Sequence, residues 1–564
     1  MFDNGRTNRA AHQGRPAFFT ATDTAPIDTL FSRVLGSGLS HQRNPDIKSR
    51  PEKIHILTGK ILWSLLGGFP LYYIGVFIVI AALRMTYPFE LEWMEGGMVD
   101  HVMRLVRGEQ MYVKPTLSFV PFIYPPLFYY LAAGLSLLTG EGFFPLRLVS
   151  FLSALGSFVL IHEYVRRETG HFRYGVVATG LYAASFHYCG GWFDIGRIDS
   201  LFMCLLLWGI FVYRFYPSAR GQILSGLLFS LAFLTKQTAL FIVAPLCLHC
   251  LLSRKGWARF IFPAIFIGLV GSTTLVFDHW SGGWYRFYVF DLPKQHKMQP
   301  EMILGFWVHD LWRSFPLAFL CVLGVGLAAM KNRNKDWFYS VMLIGGLIIS
   351  SWLSRLHTGG WDNVLMPAFA CLAIFFGLGI HQFHSSLLAR KQIWVGQLFL
   401  LLCVFQFAFI HYQPAQHIPS MADEEAGWHV VQKIRSLPGD VYLPSHGYLP
   451  AMGGKPSLAH AQATADIFRS HEKELSGELA GEIRMALRNR KFRTLIFDIP
   501  RHYVEEGKKT PWADELFLVD ESPWLLDEVS VNYEPSGVLF PDETAFWPVT
   551  GLRTRPQQIY RIKR

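Results

Sequence analysis

Residues 87–126 read YPFELEWMEGGMVDHVMRLVRGEQMYVKPTLSFVPFIYPP and begin where the first long apolar run of the chain ends. They set Glu90, Glu92, Glu95 and Asp100 at the edge of a hydrocarbon layer. Carboxylates are costly at that depth and gather there when they serve a site. Such a loop needs a membrane beside it, and the rest of the chain supplies one. Of 564 residues, 51% are hydrophobic and 17% are charged, against roughly 25% charged in soluble domains. The apolar residues fall into many runs close to the about 20 residues that a membrane-crossing helix needs. The expected fold is an all-α polytopic membrane bundle.

The net charge of +10 does not point to nucleic acid. Its Lys and Arg lie in short breaks between apolar runs: Arg166-Arg167, Arg214 to Arg220, Arg254 to Arg259, Lys331 to Lys335 and Arg390-Lys391. By the positive-inside rule these breaks face the cytoplasm, and the breaks between them face outward. Crossings are expected near 61–84, 145–165, 174–191, 199–216, 222–235, 238–253, 258–277, 315–330, 337–353, 361–382 and 393–411. The run 124–138 is short and opens with Pro125-Pro126, so it reads as an interfacial or re-entrant helix held on the outer side. The count is then eleven crossings, with the amino terminus inside and the carboxyl terminus outside.

Residues 1–56 are polar and read as a disordered cytoplasmic tail, followed by a membrane domain over 57–411 whose first outer loop is 85–140. After His411 the composition turns polar. Amphipathic stretches at 422–436 and 474–490 alternate with β-like runs at 440–443, 494–497 and 558–562. Residues 412–564 therefore read as a small α/β domain outside the membrane. The seven cysteines lie in or beside apolar runs, and Cys247 and Cys250 form CLHC without a second ligand pair. They read as helix-packing residues, not as a zinc site.

Taken as one surface, the outer face gathers Glu92 and Glu95 with Asp194, Arg197 and Asp199 from WFDIGRIDS. Lys236 from FLTKQTA and Arg355, His357 and Asn363 from SRLHTGGWDN join them. Cations at a bilayer surface suit a lipid phosphate, and a nearby carboxylate suits the removal of a proton from a hydroxyl.

The order of these groups resembles the GT-C superfamily of integral-membrane glycosyltransferases, which includes protein O-mannosyltransferases and lipid A aminoarabinose transferases. The matching residues are Glu95-Gly96, Arg104-Leu105, Gly108, Tyr112 and Tyr124-Pro125-Pro126. Arg147-Leu148, Arg166-Arg167, Asp199 and Thr235-Lys236 then follow in the same order. The resemblance covers about residues 60–260. One departure stands out: many relatives carry Asp-Glu in the first loop, and here Met94 precedes Glu95.

The resemblance implies a polyprenyl-phosphate-linked sugar as donor, within reach of membrane lipids, and a glycan, lipid or protein as acceptor. It implies that an acceptor hydroxyl gives its proton to a first-loop carboxylate, with Glu95 preferred and Glu92 the alternative. Lys236 and arginines such as Arg197 and Arg355 would neutralise the departing phosphate. Tyr124, His357 and Asn363 complete the expected substrate site. Asp199 would orient the acceptor or hold a divalent metal, and no other cofactor is implied. Compact size and the lack of an organelle signal suggest a bacterial inner membrane, with 412–564 periplasmic. The alternative is a transporter or flippase of a lipid-linked saccharide. That would call for two related halves and ionisable groups at the bilayer midplane. The sequence shows no internal repeat, and its charges gather at the edges.

Overall fold

The structure, a computed structural model, describes residues 50–332, 336–501, 524–540 and 545–564. The tail over 1–49 and part of the basic break at 331–335 lie outside the described residues. Helix α1 runs Arg50–Arg84, so the last residues of the polar amino-terminal stretch, expected to be disordered, are helical.

After the loop that carries the glutamates, α2 (Glu95–Val106) and α3 (Leu127–Thr139) form the juxtamembrane pair. The bundle continues through α4 (Phe143–Thr169), α5 (Phe172–Ala184), α6 (Asp199–Phe215), α7 (Ala219–Thr235), α8 (Leu240–Ser253) and α9 (Ala258–Trp280). It closes with α10 (Pro316–Asn332), α11 (Trp337–Arg355), α12 (Met366–Ala389) and α13 (Ile393–Phe409). A helix thus lies at each of the eleven expected positions. Length and apolarity qualify five of the described helices as membrane crossings, or up to seven when two bent pairs are each taken as one span. The chain is a multi-pass membrane protein whose crossings by that measure are fewer than the sequence count.

Helix α12 is apolar all round because it is the centre of the bundle. In the span 362–389, 89% of the most apolar stretch is enclosed by protein, against 17% for α9. Ile267, Leu275 and Val276 of α9 stay exposed, as suits a face turned to lipid. Around α12 the core is dense in aromatic pairs. Phe77 of α1 meets Phe158, Phe186 and Phe193 edge-on, the favoured geometry for ring quadrupoles.

Residues beyond 412 form α14 (Met421–Ser436), β1 (Asp440–Tyr442), α15 (Ala461–Arg469), α16 (Lys473–Arg488) and β2 (Phe492–Pro500). After them come α17 (Trp524–Asn532), β3 (Tyr533–Val538) and β4 (Thr554–Ile562). The sheet order is β1-β2-β4-β3, with β1 parallel to β2 and the other pairs antiparallel. This region does not stand apart from the bundle. It shares an apolar cluster with the first loop, in which Phe89 packs edge-on against both Trp428 and Phe546. Lys114 of that loop also ion-pairs with Glu478.

Candidate active site

The first loop is folded around buried ions. Arg147, at the start of α4, donates from Nε and Nη2 to both oxygens of Glu95 at 2.8 and 2.7 Å. Its remaining hydrogens go to the carbonyls of Arg84, Tyr87 and Phe89. Glu95 also accepts from the backbone N–H groups of Leu91 at 2.9 Å and Gly196 at 2.6 Å. Arg147 and Glu95 are both fully buried. Burial opposes the charge on Glu95, but Arg147 and the two amides outweigh it and hold the carboxyl below its usual range. Glu95 is thereby saturated with donors. Its arrangement is that of a structural clamp.

Glu92, three residues earlier, is held differently. Its Oε2 accepts from Arg197 Nη1 at 2.7 Å and from Met94 N at 3.3 Å. Among the described residues no donor reaches its Oε1. That oxygen faces Gly551, where an added Cβ would lie 3.0 Å from Oε1 and 2.7 Å from Glu92 Cγ. Burial pushes the Glu92 carboxyl up, Arg197 pulls it back, and it comes to about 7. A carboxyl at that value is half ionised near neutral pH, the condition in which a general base is most effective.

Arg197 links the glutamate to the rest of the site. Its Nη2 donates to Tyr124 Oη at 3.2 Å, its guanidinium lies over the Trp192 ring, and its Nε is buried without a partner. Asp199, two residues on and at the first turn of α6, accepts at Oδ1 from Lys236 Nζ at 2.7 Å and from Asn363 Nδ2 at 3.0 Å. Asp199 Oδ2 and Asn363 Oδ1 are buried without partners. Glu92, Arg197, Tyr124, Asp199, Lys236 and Asn363 therefore meet in one cluster drawn from five separate stretches of chain.

Three expected contributors lie outside it. Arg355 pairs with Asp310 at 3.0 Å and with Asp362 at 3.1 Å, one residue before Asn363. His357 forms a backbone bridge with Met298. Asp194 is gripped by one edge of the Arg84 guanidinium, Nε donating to Oδ2 and Nη2 to Oδ1, so both its oxygens are engaged. A divalent metal at Asp199 finds little support, because Lys236 and Asn363 already fill its Oδ1. No group of three or more His, Cys, Asp or Glu among the described residues could hold a metal ion.

The fold has known counterparts. The apo structure of ArnT from Cupriavidus metallidurans superposes with a TM-score of 0.51 at 11% identity, over 87% of this chain and 97% of that one. Its undecaprenyl-phosphate-bound form gives 0.50 at 12%, over 87% and 98%. The chain has the fold of the GT-C integral-membrane glycosyltransferases. Archaeal oligosaccharyltransferase AglB from Archaeoglobus fulgidus, solved with an inhibitory peptide and a dolichol-phosphate, follows at 0.49 and 12%, over 84% and 74%. No curated protein sequence matches this one significantly. The family model described as dolichyl-phosphate-mannose-protein mannosyltransferase matches residues 124–280. That segment carries Tyr124, Arg147, Arg197, Asp199 and Lys236, while the glutamates precede it and Asn363 follows it.

One linked group was not read from the sequence. Glu90 bonds His446 Nδ1, and His446 Nε2 lies 2.8 Å from Asp498, which also accepts from Thr554 Oγ1 at 2.8 Å. Burial works against charge on His446, but Asp498 and Glu90 outweigh it and raise it to about 10. The imidazolium thus ties the first loop to the carboxyl-terminal sheet. Gly96 permits the approach: a Cβ there would lie 2.2 Å from both Glu90 Oε1 and Tyr448 Cδ1. Only the Gly following Glu95 hinted at this crowding.

Proposed function

We propose that this protein is a glycosyltransferase that moves a sugar from a polyprenyl-phosphate donor to an acceptor hydroxyl, with Glu92 as the general base. The observation that carries the reading is the contrast between Glu95, whose two oxygens take four hydrogen bonds, and Glu92, whose Oε1 takes none. Only a carboxylate with an open lone pair can accept a proton from a substrate. Its value near 7 favours that transfer at neutral pH.

The cations supply the other half of the chemistry. Lys236 and the unpaired Nε of Arg197 are suited to the charge that builds on a leaving phosphate. Phosphate leaves readily, so a single carboxylate serves where a glycosidase needs two. Asp199, itself held by Asn363, holds Lys236 in place, and Asp199 Oδ2 and Asn363 Oδ1 offer acceptor atoms to substrate hydroxyls. The ArnT structure with undecaprenyl phosphate supports a carrier lipid of that class.

The site belongs to the outer side in this reading, with eleven crossings over 57–411, the amino terminus in the cytoplasm and residues 412–564 periplasmic in a bacterial inner membrane. The packing of 412–564 on the first loop supports their lying on the side of the site. The clustering of charges at one end of the bundle argues for an enzyme over a transporter. The test is transfer by Glu92→Gln and Glu95→Gln in membranes supplied with polyprenyl-phosphate sugar. Loss of transfer in folded Glu92→Gln is expected; transfer at the wild-type rate would overturn the reading.

A further inference from the structure

Helices α12 and α13 form a hairpin whose turn lies at the end of the bundle away from the active site. Asn363, shortly before α12, belongs to the site, and Arg390 follows the last residue of the same helix. The 24 residues of α12 set the two ends about 36 Å apart at 1.5 Å per residue, beyond the about 30 Å of a hydrocarbon core. Between the two helices, beside the turn, lies a cavity of about 530 Å³. Phe383, Leu387, Val395, Phe399 and Leu402 wall it, and its polar lining is confined to Gln382, Ser386 and Arg390.

This groove is about as deep as one leaflet. From Arg390 back to Gln382 along α12 is about 12 Å, and from Ile393 to Leu402 along α13 about 14 Å. Half of a hydrocarbon core is about 15 Å. A chain that starts at head-group level therefore ends where the groove does.

The mouth is cationic. Arg390 and Lys391 are exposed, and among the described residues neither forms an ion pair. No Asp or Glu occurs between Asp362 and Asp423, so neither helix of the hairpin carries a carboxylate. Backbone bonds fix the turn: the amides of Arg390, Lys391 and Gln392 donate to the carbonyls of Ser386, Leu388 and Leu387 at 3.2, 2.9 and 2.9 Å. Lys391 sits at φ +57°, a conformation that favours glycine, and the turn keeps a cation there. Basic residues at the end of an apolar groove between helices suit a phosphate that carries a hydrocarbon tail. The ammonium of a zwitterionic head group would meet no carboxylate in this lining.

We propose that the groove between α12 and α13 binds an anionic phospholipid of the leaflet opposite the active site. Arg390 and Lys391 hold its phosphate, and one acyl chain lies along Phe383, Leu387 and Phe399. In the topology proposed above this is the cytoplasmic leaflet, whose anionic lipids attract cations at the membrane surface.

The experiment is native mass spectrometry of the full chain in detergent, titrated with phosphatidylglycerol, phosphatidylcholine of the same chains, or undecaprenyl phosphate. Phosphatidylglycerol should bind at least tenfold more tightly than phosphatidylcholine. Arg390→Gln combined with Lys391→Gln should weaken it roughly 30-fold, the worth of two cations at an anionic surface. Leu398→Trp, which fills the groove from its half-exposed rim without changing charge, should weaken it at least tenfold. Should that variant fail to fold, Ser386→Trp fills the same space from the exposed side of α12. Equal binding of the two phospholipids, or binding indifferent to the double substitution or to both tryptophans, would overturn the proposal. So would tighter binding of undecaprenyl phosphate that the same substitutions abolish, since the groove would then belong to the carrier lipid.

Discussion

Glu92 and Glu95 stand three residues apart, each buried and each facing an arginine. Arg147 grips Glu95 with two parallel hydrogen bonds, and the amides of Leu91 and Gly196 take what remains. Arg197 holds only Oε2 of Glu92 and divides its other nitrogens between Tyr124 and nothing. Two ion pairs of the same composition therefore differ in completeness. A complete pair fixes a loop, whereas an incomplete one keeps hydrogen-bonding capacity for a substrate. Burial alone does not mark a catalytic carboxylate; burial with an open oxygen does.

The widest gap between the two pairs should appear on substitution. Glu92→Gln is expected to lower transfer roughly 10²–10⁴-fold, the usual worth of a general base. Its thermal midpoint should stay close to that of wild type, measured in detergent. Glu95→Gln should act through the fold, since it leaves Arg147 buried beside a neutral amide. A loss of about 3–5 kcal/mol is expected, as for other broken buried pairs, read as a lower thermal midpoint and a smaller yield of folded protein. Lys236→Met should cost roughly 10²–10³-fold in turnover, in line with the loss of one charge-stabilising group, with the acceptor KM little changed.

The smallest expected effect is one of sign. Folded Glu95 holds its proton less tightly than the unfolded residue at 4.5, so the stability it brings is present above that value and is lost as pH falls. Folded Glu92 holds its proton more tightly, at about 7, so its contribution is complete below 4.5 and fades as pH rises toward 7. Thermal midpoints of the two glutamine variants against wild type, followed from pH 4 to 8, should diverge in opposite directions.

Much of this site could be read from the chain, because a membrane edge makes charge conspicuous. Glu92, Arg197, Asp199 and Lys236 were visible as polar residues bounding apolar runs, and the structure joins them. The choice between the glutamates was not visible. It depends on where the start of α4 carries Arg147, and an Arg-Leu at a helix start does not reveal its partner. The measure of length and apolarity admits five to seven crossings where the sequence count has eleven, in part because α7 and α8 are apolar but fall short of that length. In the carboxyl-terminal region, α14, α16, β1, β2 and β4 followed their hydrophobic patterns. Strand β3, YEPSGV, carries Pro535 and Gly537 and shows no strand-like alternation; its pairing with β4 makes it a strand. The link between Glu90, His446 and Asp498 joins residues more than 350 positions apart at its first step, beyond the reach of any local pattern.

The most direct measurement is the pH dependence of transfer at saturating donor, from pH 5 to 9. If Glu92 accepts the proton, the rate rises about tenfold per pH unit and levels off above about 7, where its carboxyl is ionised. A rate that is flat across this range, as a carboxylate held ionised like Glu95 would give, would contradict the account.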